Sequence, residues 1–209
     1  MTTARIGADG VRCVLFDVGG VLVELGGIQP MLGWMRNRTD AEGLWRAWLH
    51  SAAVREFERG RLDIETFAQR VVDEFALTVD AATFLEAFAA WPKGPLPGAH
   101  DLLRRIRPGL IRATLSNSNA AHWSRVMTEM DFERHFDHHF ASHLIDRIKP
   151  DREAFEYVAQ SIGIAPREIL FVDDNRINVD GARAVGLQAH LCAGPDAVHR
   201  VLDGLGLLT

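Results

Sequence analysis

Short apolar runs alternate with longer amphipathic stretches over most of the chain. Four of the runs are rich in β-forming residues, and they read RCVLFDV (residues 12–18), IRATLSN (111–117), EILFVDD (168–174) and LQAHLCA (187–193). Nearly continuous apolar strands that alternate with amphipathic helices are typical of a parallel sheet covered on both faces. The pattern therefore predicts an α/β fold with a Rossmann-like parallel sheet and helices on both faces.

The alternation stops between residues 27 and 95, where apolar positions recur at the helical period instead. Three helical segments are predicted there, at residues 39–60, 63–76 and 80–91, with Asp63 and Asp80 as helix-capping residues. The PKGPLPG sequence that follows (92–98) has the composition of a hinge loop. We therefore expect an all-helical cap domain at 27–95, inserted into a core domain made of residues 1–26 and 96–209.

Composition narrows the class of protein. A chain of 209 residues, of which 47% are hydrophobic, can bury one substantial core. Its net charge of -5, without a polybasic run, argues against nucleic acid or a membrane surface as a partner. No apolar run is long enough to span a membrane, and the N-terminal segment lacks an apolar signal core. Because both cysteines lie in apolar segments, we expect no disulfide and a cytoplasmic location; the sequence specifies no oligomeric state.

Polar residues occur where three of the predicted strands end. They are Asp17, Ser116 with Asn117, and Asp173 with Asp174. Ligands of open α/β sheets bind beyond the carboxyl ends of the strands. One polar residue at such a place is usually only a strand cap, but three strand ends with acids or small polar donors indicate a shared site.

The charges of these residues predict a metal ion. Three carboxylates in one crevice repel one another, by about 4 kcal/mol per pair at roughly 4 Å with an effective dielectric constant of about 20. Mg²⁺ among the oxygens, with the ammonium group of Lys149 nearby, would offset this repulsion. An anionic substrate, a metal and a carboxylate nucleophile together favour phosphoryl transfer through an aspartyl-phosphate.

Four sequence motifs follow one another in a characteristic order. They read VLFDVGGVL (14–22), TLSNSN (114–119), RIKPD (147–151) and ILFVDDNRINVDGARAVG (169–186). In this order they resemble the four motifs of the haloacid dehalogenase-like (HAD) hydrolases, and the helical insertion is placed like the small cap of that superfamily. The DVGG form of the first motif, FERGRLDIETF (57–67) and SNSN are similar to the bacterial α-glucose-1-phosphate phosphatase-like branch.

The resemblance implies roles for the acidic residues. Asp17 would be the nucleophile and a ligand of Mg²⁺, and the backbone carbonyl of Gly19 would be a second ligand. Asp174 would bind the metal directly, while Asp173 and Asn178 would support it from nearby.

The resemblance also implies how phosphate would be bound. Ser116 and the amide of Asn117 would hold the phosphoryl oxygens. Lys149 would neutralise charge on both the nucleophile and the phosphate. The expected partner is therefore a small phosphorylated metabolite.

Position 19 departs from the family pattern. Most phosphatases of this superfamily have an aspartate there, which protonates the leaving group and then deprotonates water, and Gly19 can do neither. General acid–base catalysis contributes roughly 10²- to 10⁴-fold in rate. We therefore expect slow turnover unless His122 or Glu24 substitutes, although a surface role is commoner for each. A sugar 1-phosphate would be affected less, since its anomeric hydroxyl leaves more readily.

Three interpretations of function remain. The first is a metal-dependent phosphatase, with a sugar 1-phosphate as one candidate substrate. The second is a 2-haloacid dehalogenase, which shares the fold and the aspartate nucleophile but uses no metal; the pair Asp173 and Asp174 argues against it. The third is a catalytically silent module that binds a phosphorylated ligand or a partner, and the presence of Asp17, Lys149 and Asp174 argues against that.

Other residues with chemical potential have simpler explanations. Arg55, Glu58 and Arg59, near the end of a cap helix, could face a substrate, although a solvated helix face is the commoner place for such residues. The aromatic residues of the cap are expected in apolar packing, and these are Trp34, Trp45, Trp48, Phe57 and Phe67. The histidines of HFDHHF (135–140) lie where another strand is predicted, and this disfavours zinc.

Overall fold

The computed structural model describes residues 10–37 and 39–209, and its strands form two sheets. The strands are β1 (Cys13–Phe16), β2 (Val23–Leu25), β3 (Pro92–Pro95), β4 (Ile111–Ser116), β5 (His138–Ala141), β6 (Ile169–Asp173) and β7 (Gln188–Leu191). The larger sheet has the order β5-β4-β1-β6-β7, and all its neighbouring strands are parallel. Each of the four β-rich runs forms a strand, and HFDHHF contributes to the fifth. The predicted α/β fold with a Rossmann-like parallel sheet is therefore confirmed.

The central strands are buried on both faces, as near-continuous apolar runs require. In β1, Val14 and Phe16 pack into the core on one face of the sheet, whereas Cys13 and Leu15 pack into the core on the other. The same alternation occurs in β6. Helices cover both faces, and they are α6 (Ala99–Arg104), α7 (Ala120–Ser124), α8 (Ser142–Ile145), α9 (Arg152–Ile162), α10 (Arg176–Ala184) and α11 (Gly194–Gly204) after the five helices of the insertion.

The insertion is helical and has an apolar core of its own. Its helices are α1 (Ile28–Trp34), α2 (Ala41–His50), α3 (Ala52–Glu58), α4 (Ile64–Glu74) and α5 (Ala81–Ala89). As predicted, Asp63 and Asp80 cap α4 and α5, each accepting a hydrogen bond from the backbone N–H three residues on. Phe67 lies at the centre of the core and stacks on Phe57 with the ring centroids 4.0 Å apart. We call helices α1–α5 the cap, and we propose that they form the inserted domain expected at residues 27–95.

The connection between cap and core differs from the prediction. The first four residues of PKGPLPG form β3, which pairs with β2 in an antiparallel ribbon. Hydrogen bonds from Gly26 N to Trp91 O (2.9 Å) and from Leu96 N to Leu22 O (2.8 Å) continue the pairing at both ends. The prediction of a loop was wrong here because local composition did not indicate that the two chain crossings run side by side.

Two general expectations can be compared with the structure. Cys13 and Cys192 are both buried and free, as expected. Among residues 10–37 and 39–209, no helix combines the length and the apolar character needed to cross a bilayer.

Truncation of Phe67 should destabilise the cap. Phe67 is 0% exposed, and Phe→Ala in a packed core typically costs about 3–5 kcal/mol. We expect Phe67→Ala to lower the free energy of unfolding by that amount in urea titrations followed by tryptophan fluorescence, which reports mainly on the cap. Leu144→Ala is the control, since its side chain is 60% exposed and its loss should cost less than about 0.5 kcal/mol. Similar midpoints for the two variants would contradict this account of the cap core.

Candidate active site

Three carboxylates meet beyond the carboxyl ends of neighbouring strands. Asp17 follows β1, Asp173 ends β6, and Asp174 comes next. β1 and β6 are adjacent and in register, with Phe16 opposite Val172, so their ends reach the same edge of the sheet. One oxygen from each carboxylate lies within 4.8 Å of the others. The predicted clustering of these acids is therefore present in the fold.

Lys149 places a buried positive charge among these acids. Its Nζ lies 2.9 Å from Asp17 Oδ1 and 2.7 Å from Asp173 Oδ2, and only 1% of its side chain is exposed. Asn117 fixes the backbone of this lysine from both sides, donating from Nδ2 to Lys149 O (3.0 Å) and accepting at Oδ1 from Lys149 N (2.9 Å). The side chain of Asn117 thus positions Lys149, a role that the motif alone did not indicate.

The cluster is strongly coupled electrostatically. Burial raises the pKa of Asp17 well above its ordinary value and the neighbouring carboxylates add to this, against the opposing effect of Lys149. Burial by itself would lower the pKa of Lys149, but Asp17 and Asp173 outweigh it and raise that pKa. Lys149 therefore stays charged, and its one ammonium group faces three acids. One positive charge does not balance three carboxylates, so a bound cation would stabilise the site.

The hydrogen bonds divide the acids into two kinds. Asp173 is saturated: it accepts from Lys149 Nζ, from Asn175 N (2.8 Å) and from Asn178 Nδ2 (3.0 and 3.1 Å). Asp17 keeps one carboxylate oxygen beyond its contacts with Lys149 and Val18 N. Asp174 faces the solvent of the cavity, yet the surrounding protein still raises its pKa to about 6, burial first and Asp173 second.

The donor set fits a hard divalent cation such as Mg²⁺. Hard cations take oxygen ligands, and Mg²⁺ commonly uses only one or two carboxylates. Asp17 and Asp174 would hold the ion directly, while Asp173 and Asn178 would stay behind them. The histidines of HFDHHF form no comparable group within the described part of the chain.

Gly19 and Gly20 are subject to different structural constraints. Gly20 has a φ of 71°, and a Cβ at this position would collide with Asp174 Oδ2. Gly19 has no such backbone constraint, but a Cβ there would lie 2.6 Å from Cδ1 of Leu25. A side chain at position 20 would therefore displace an acid of the site, whereas one at position 19 would displace only Leu25 on β2.

A cavity of about 660 Å³ opens above the acids, between the core and the cap. Asp17, Gly19, Ser116, Asn117, Lys149, Asp174 and Asn178 line its floor. Its upper walls are mainly apolar, and they include Leu25, Trp45, Leu49, Trp91, Trp123 and Val126. The structure thus brings together the residues selected from the sequence, except that Asp173 lies fully buried beneath the floor.

The expectation of a solvated face around Glu58 was wrong. Glu58 is half-buried and lines the cavity, while Arg55 and Arg59 bind Asp151 of the core with N–O distances of 2.7 and 2.6 Å. Asp151 lies at the start of α9, but its carboxylate does not cap that helix. Charged residues on a helix are usually exposed, so the sequence contains no sign that this end of α3 contacts the core. The contact depends on the pairing of Arg55 and Arg59 with a residue more than ninety positions away.

Of the two candidates for replacing the acid of position 19, only His122 departs from its expected environment. His122 is half-buried instead of lying on the surface: its Nε2 is 2.7 Å from Phe88 O and its Nδ1 is 3.2 Å from Asn119 Nδ2. Burial lowers its pKa to about 4. Glu24 is exposed on β2 and does not line the cavity, which agrees with its solvent-facing interpretation.

The parallel sheet, the acids at its carboxyl edge and the cap above them define a capped α/β protein with an acidic, lysine-containing site. The family model for haloacid dehalogenase-like hydrolases matches residues 11–186. The chain belongs to this family, as the four motifs indicated.

Curated relatives have several activities. A probable phosphoglycolate phosphatase of Pseudomonas putida is 28% identical, over 89% of this chain and 69% of the relative. A sesquiterpene phosphatase of Aspergillus oryzae is also 28% identical, over 84% of this chain and 87% of the relative. An (S)-2-haloacid dehalogenase of a Pseudomonas species is 28% identical as well, over 85% and 81%.

A solved structure has the same overall fold. The HAD family enzyme of Bacteroides thetaiotaomicron superposes with a TM-score of 0.72 at 25% identity, covering 92% of this chain and 98% of that one. A further structure of that enzyme, with a TM-score of 0.68 at 23% identity, is a complex with magnesium and inorganic phosphate; it covers 88% of this chain and 94% of that one.

A side chain at position 20 should disturb the metal site specifically. We expect Gly20→Ala to push Asp174 out of place and to weaken Mg²⁺ binding by about 10- to 100-fold, the usual cost of disturbing the support of a metal ligand. Isothermal titration calorimetry with Mg²⁺ measures this. Gly33→Ala is the control, because Gly33 lies in α1 with open space around its Cα. Equal Mg²⁺ affinity in Gly20→Ala and wild type would contradict the assignment of Asp174 as a ligand.

Proposed function

We propose that the protein is a Mg²⁺-dependent phosphatase that hydrolyses a small phosphate monoester through an aspartyl-phosphate on Asp17. The observation that supports this most is the combination of Asp17, Asp174 and the buried Lys149 at one end of the cavity. Two of the relatives named above are phosphatases, and the Bacteroides enzyme has been solved with magnesium and phosphate.

The proposed reaction has two steps, and Asp17 takes part in both. Asp17 Oδ attacks phosphorus, forming an O–P bond while the P–O bond to the alcohol breaks. Ser116 and the backbone N–H of Asn117 border the cavity where they can donate to the phosphoryl oxygens. Lys149 holds the attacking carboxylate in place and neutralises charge. Water then attacks phosphorus, which releases phosphate and restores Asp17.

Mg²⁺ would be bound by Asp17, Asp174 and the carbonyl of Gly19. When bound, it supplies Lewis-acid stabilisation of the phosphoryl charge and orients that group for attack. Asp173 and Asn178 would keep Asp174 and Lys149 in position from beneath the floor.

The dehalogenase interpretation is the second candidate, and the relative from Pseudomonas supports it. It requires the nucleophile and the lysine but no metal. Asp174 argues against it, because an acid left free beside Asp17 would repel a carboxylate substrate. A silent binding module would give no reason for Asp17 to remain beside Lys149.

We further propose that the leaving group is an apolar alcohol. The walls above the floor include four indole rings, leucines and a valine, so a bound alcohol would contact hydrocarbon. The sesquiterpene phosphatase among the relatives agrees with such a substrate. A sugar 1-phosphate was one candidate substrate from the sequence. Polar residues that include Glu42, Arg46, Glu58 and His122 also line the cavity, and indole rings can stack on a sugar, but the apolar part of the lining favours the apolar alcohol. We propose a cytoplasmic location on the basis of the two free cysteines.

Removal of the nucleophile should abolish activity. With para-nitrophenyl phosphate and Mg²⁺, Asp17→Asn should lower kcat by about 10⁴-fold or more, while excess chelator should stop the wild type and Mg²⁺ should restore it. Asp180→Asn, on the exposed face of α10, is the matched control and should keep full activity. Phosphate release by folded Asp17→Asn would exclude the covalent mechanism. Halide release from 2-chloropropionate in chelator would favour the dehalogenase instead.

A series of alkyl phosphates should show whether the apolar walls of the cavity bind the leaving group. Each buried methylene is worth about 0.8 kcal/mol, so kcat/KM for alkyl phosphates should rise roughly fourfold per carbon until the cavity is filled. Leu25→Asn should flatten this dependence, whereas Leu191→Asn, similarly exposed but outside the cavity, should not. A kcat/KM for glucose 1-phosphate above that for octyl phosphate would contradict the apolar leaving group and favour a sugar 1-phosphate as the substrate.

A further inference from the structure

A phosphatase with this site needs a proton donor that Gly19 does not provide. The alcohol that leaves phosphorus departs as an alkoxide unless it is protonated in the transition state. Leu25 fills the space beside Gly19, with Cδ1 2.6 Å from the place where a Cβ would be. The floor of the cavity therefore offers no acid in the usual position, and the donor has to come from another element.

His122 cannot supply this proton. Its Nε2 faces the carbonyl oxygen of Phe88, which only accepts hydrogen bonds, so Nε2 carries the single proton of the neutral ring. Its Nδ1 then accepts from Asn119 Nδ2. Both ring nitrogens are occupied in joining the core to the cap, and no proton remains for a ligand.

Glu58 is the cap residue with a suitable position. It is the last residue of α3, and it lines the cavity that Asp17 and Lys149 also line. Arg55, one turn earlier in α3, and Arg59, directly after the helix, both bind Asp151, two residues after Lys149. The segment with Glu58 is thereby fastened to the segment with Lys149, and the two side chains keep a fixed relation.

Contacts on both sides of Glu58 hold this end of α3 in place. Gly60, with a φ of 74°, lies so close to the core that a Cβ there would be 3.0 Å from His143 O. Arg61 binds Asp146 through two hydrogen bonds of 2.8 and 2.7 Å. Phe57 packs into the cap core. Neighbours of Glu58 in FERGRLD thus bind either the cap or the core, while its own carboxylate faces the cavity.

We propose that Glu58 is the catalytic acid and base of this phosphatase, an inference that rests on the proposed function. As Asp17 attacks phosphorus, the Glu58 carboxyl gives its proton to the leaving oxygen, and the alcohol departs neutral. The resulting carboxylate then takes a proton from the water that attacks the aspartyl-phosphate. Phosphate leaves, and Asp17 and the protonated Glu58 are restored.

The electrostatic environment suits both halves of this cycle. Burial raises the pKa of Glu58 to about 7, against a hydrogen bond from Trp48 and the charges of Lys149 and Arg55. Both the acid and the base are therefore populated near neutrality, as a group that first donates and then accepts requires. The other ionisable groups that line the cavity are Asp17, Lys149, Asp174 and His122 on its floor and walls, with Glu42, Arg46 and Arg176.

The test compares leaving groups that need a proton with one that does not. In Mg²⁺, Glu58→Gln should lower kcat for octyl phosphate by about 10²- to 10⁴-fold, while kcat for dinitrophenyl phosphate should change by less than about tenfold. For octyl phosphate, kcat/KM of the wild type should fall as pH rises above neutrality, because the donor is then deprotonated, and this fall should disappear in the variant. Glu56→Gln is the matched control, since Glu56 is an exposed residue of the same helix that pairs with Arg70.

A second variant tests the role even if glutamine distorts the site. Glu58→Ala should regain activity on octyl phosphate when formate is added, because formate can enter the vacated space and transfer the proton. An equal loss for both esters in Glu58→Gln, or an unchanged rate with octyl phosphate, would overturn the assignment of Glu58 but leave the proposed phosphatase function intact. A wild type that releases no phosphate from dinitrophenyl phosphate in Mg²⁺ would overturn both the assignment of Glu58 and the proposed function.

Discussion

The buried ion pair of Lys149 with Asp17 and Asp173 is the constraint on which the rest of the site depends. A charge that is 1% exposed is tolerated only where partners and hydrogen bonds replace its water. Loss of one partner from a buried pair typically costs about 3–5 kcal/mol. The fold meets this demand with three strand ends: Asp17 after β1, Asp173 on β6, and Asn117 after β4, which holds the lysine backbone. The polar residues at the sheet edge therefore form one connected unit.

Much of this arrangement follows from local patterns. Parallel strands end at the same edge, so apolar runs followed by Asp17, Asn117 and Asp173 suffice to predict that these residues meet. The capping aspartates of the cap likewise act within a single turn. What was missed depends on contacts between distant segments. Glu58 looks like any charged helix residue until Arg59 is known to bind Asp151, and His122 looks exposed until α5 is placed above it.

In the proposed mechanism, the core and the cap have different roles. The core supplies the charged floor and part of the apolar walls, while the cap and the ribbon supply the rest of the walls and the carboxyl group of Glu58. An acid on the cap, in place of one on the core, couples proton transfer to the position of the cap. The contacts of Asp151 with Arg55 and Arg59 are then part of the catalytic geometry, because they set how far that carboxyl lies from Lys149.

The packing of Leu25 against Gly19 has a consequence for substitutions at the site. An acid at position 19 and the Leu25 side chain would compete for one space, so Gly19→Asp would require Leu25 to turn away. Leu25 is 38% exposed, and the atom in the way is the far end of its flexible side chain, so this movement is feasible. Substitutions at positions 19 and 25 are therefore expected to have non-additive effects on stability and activity.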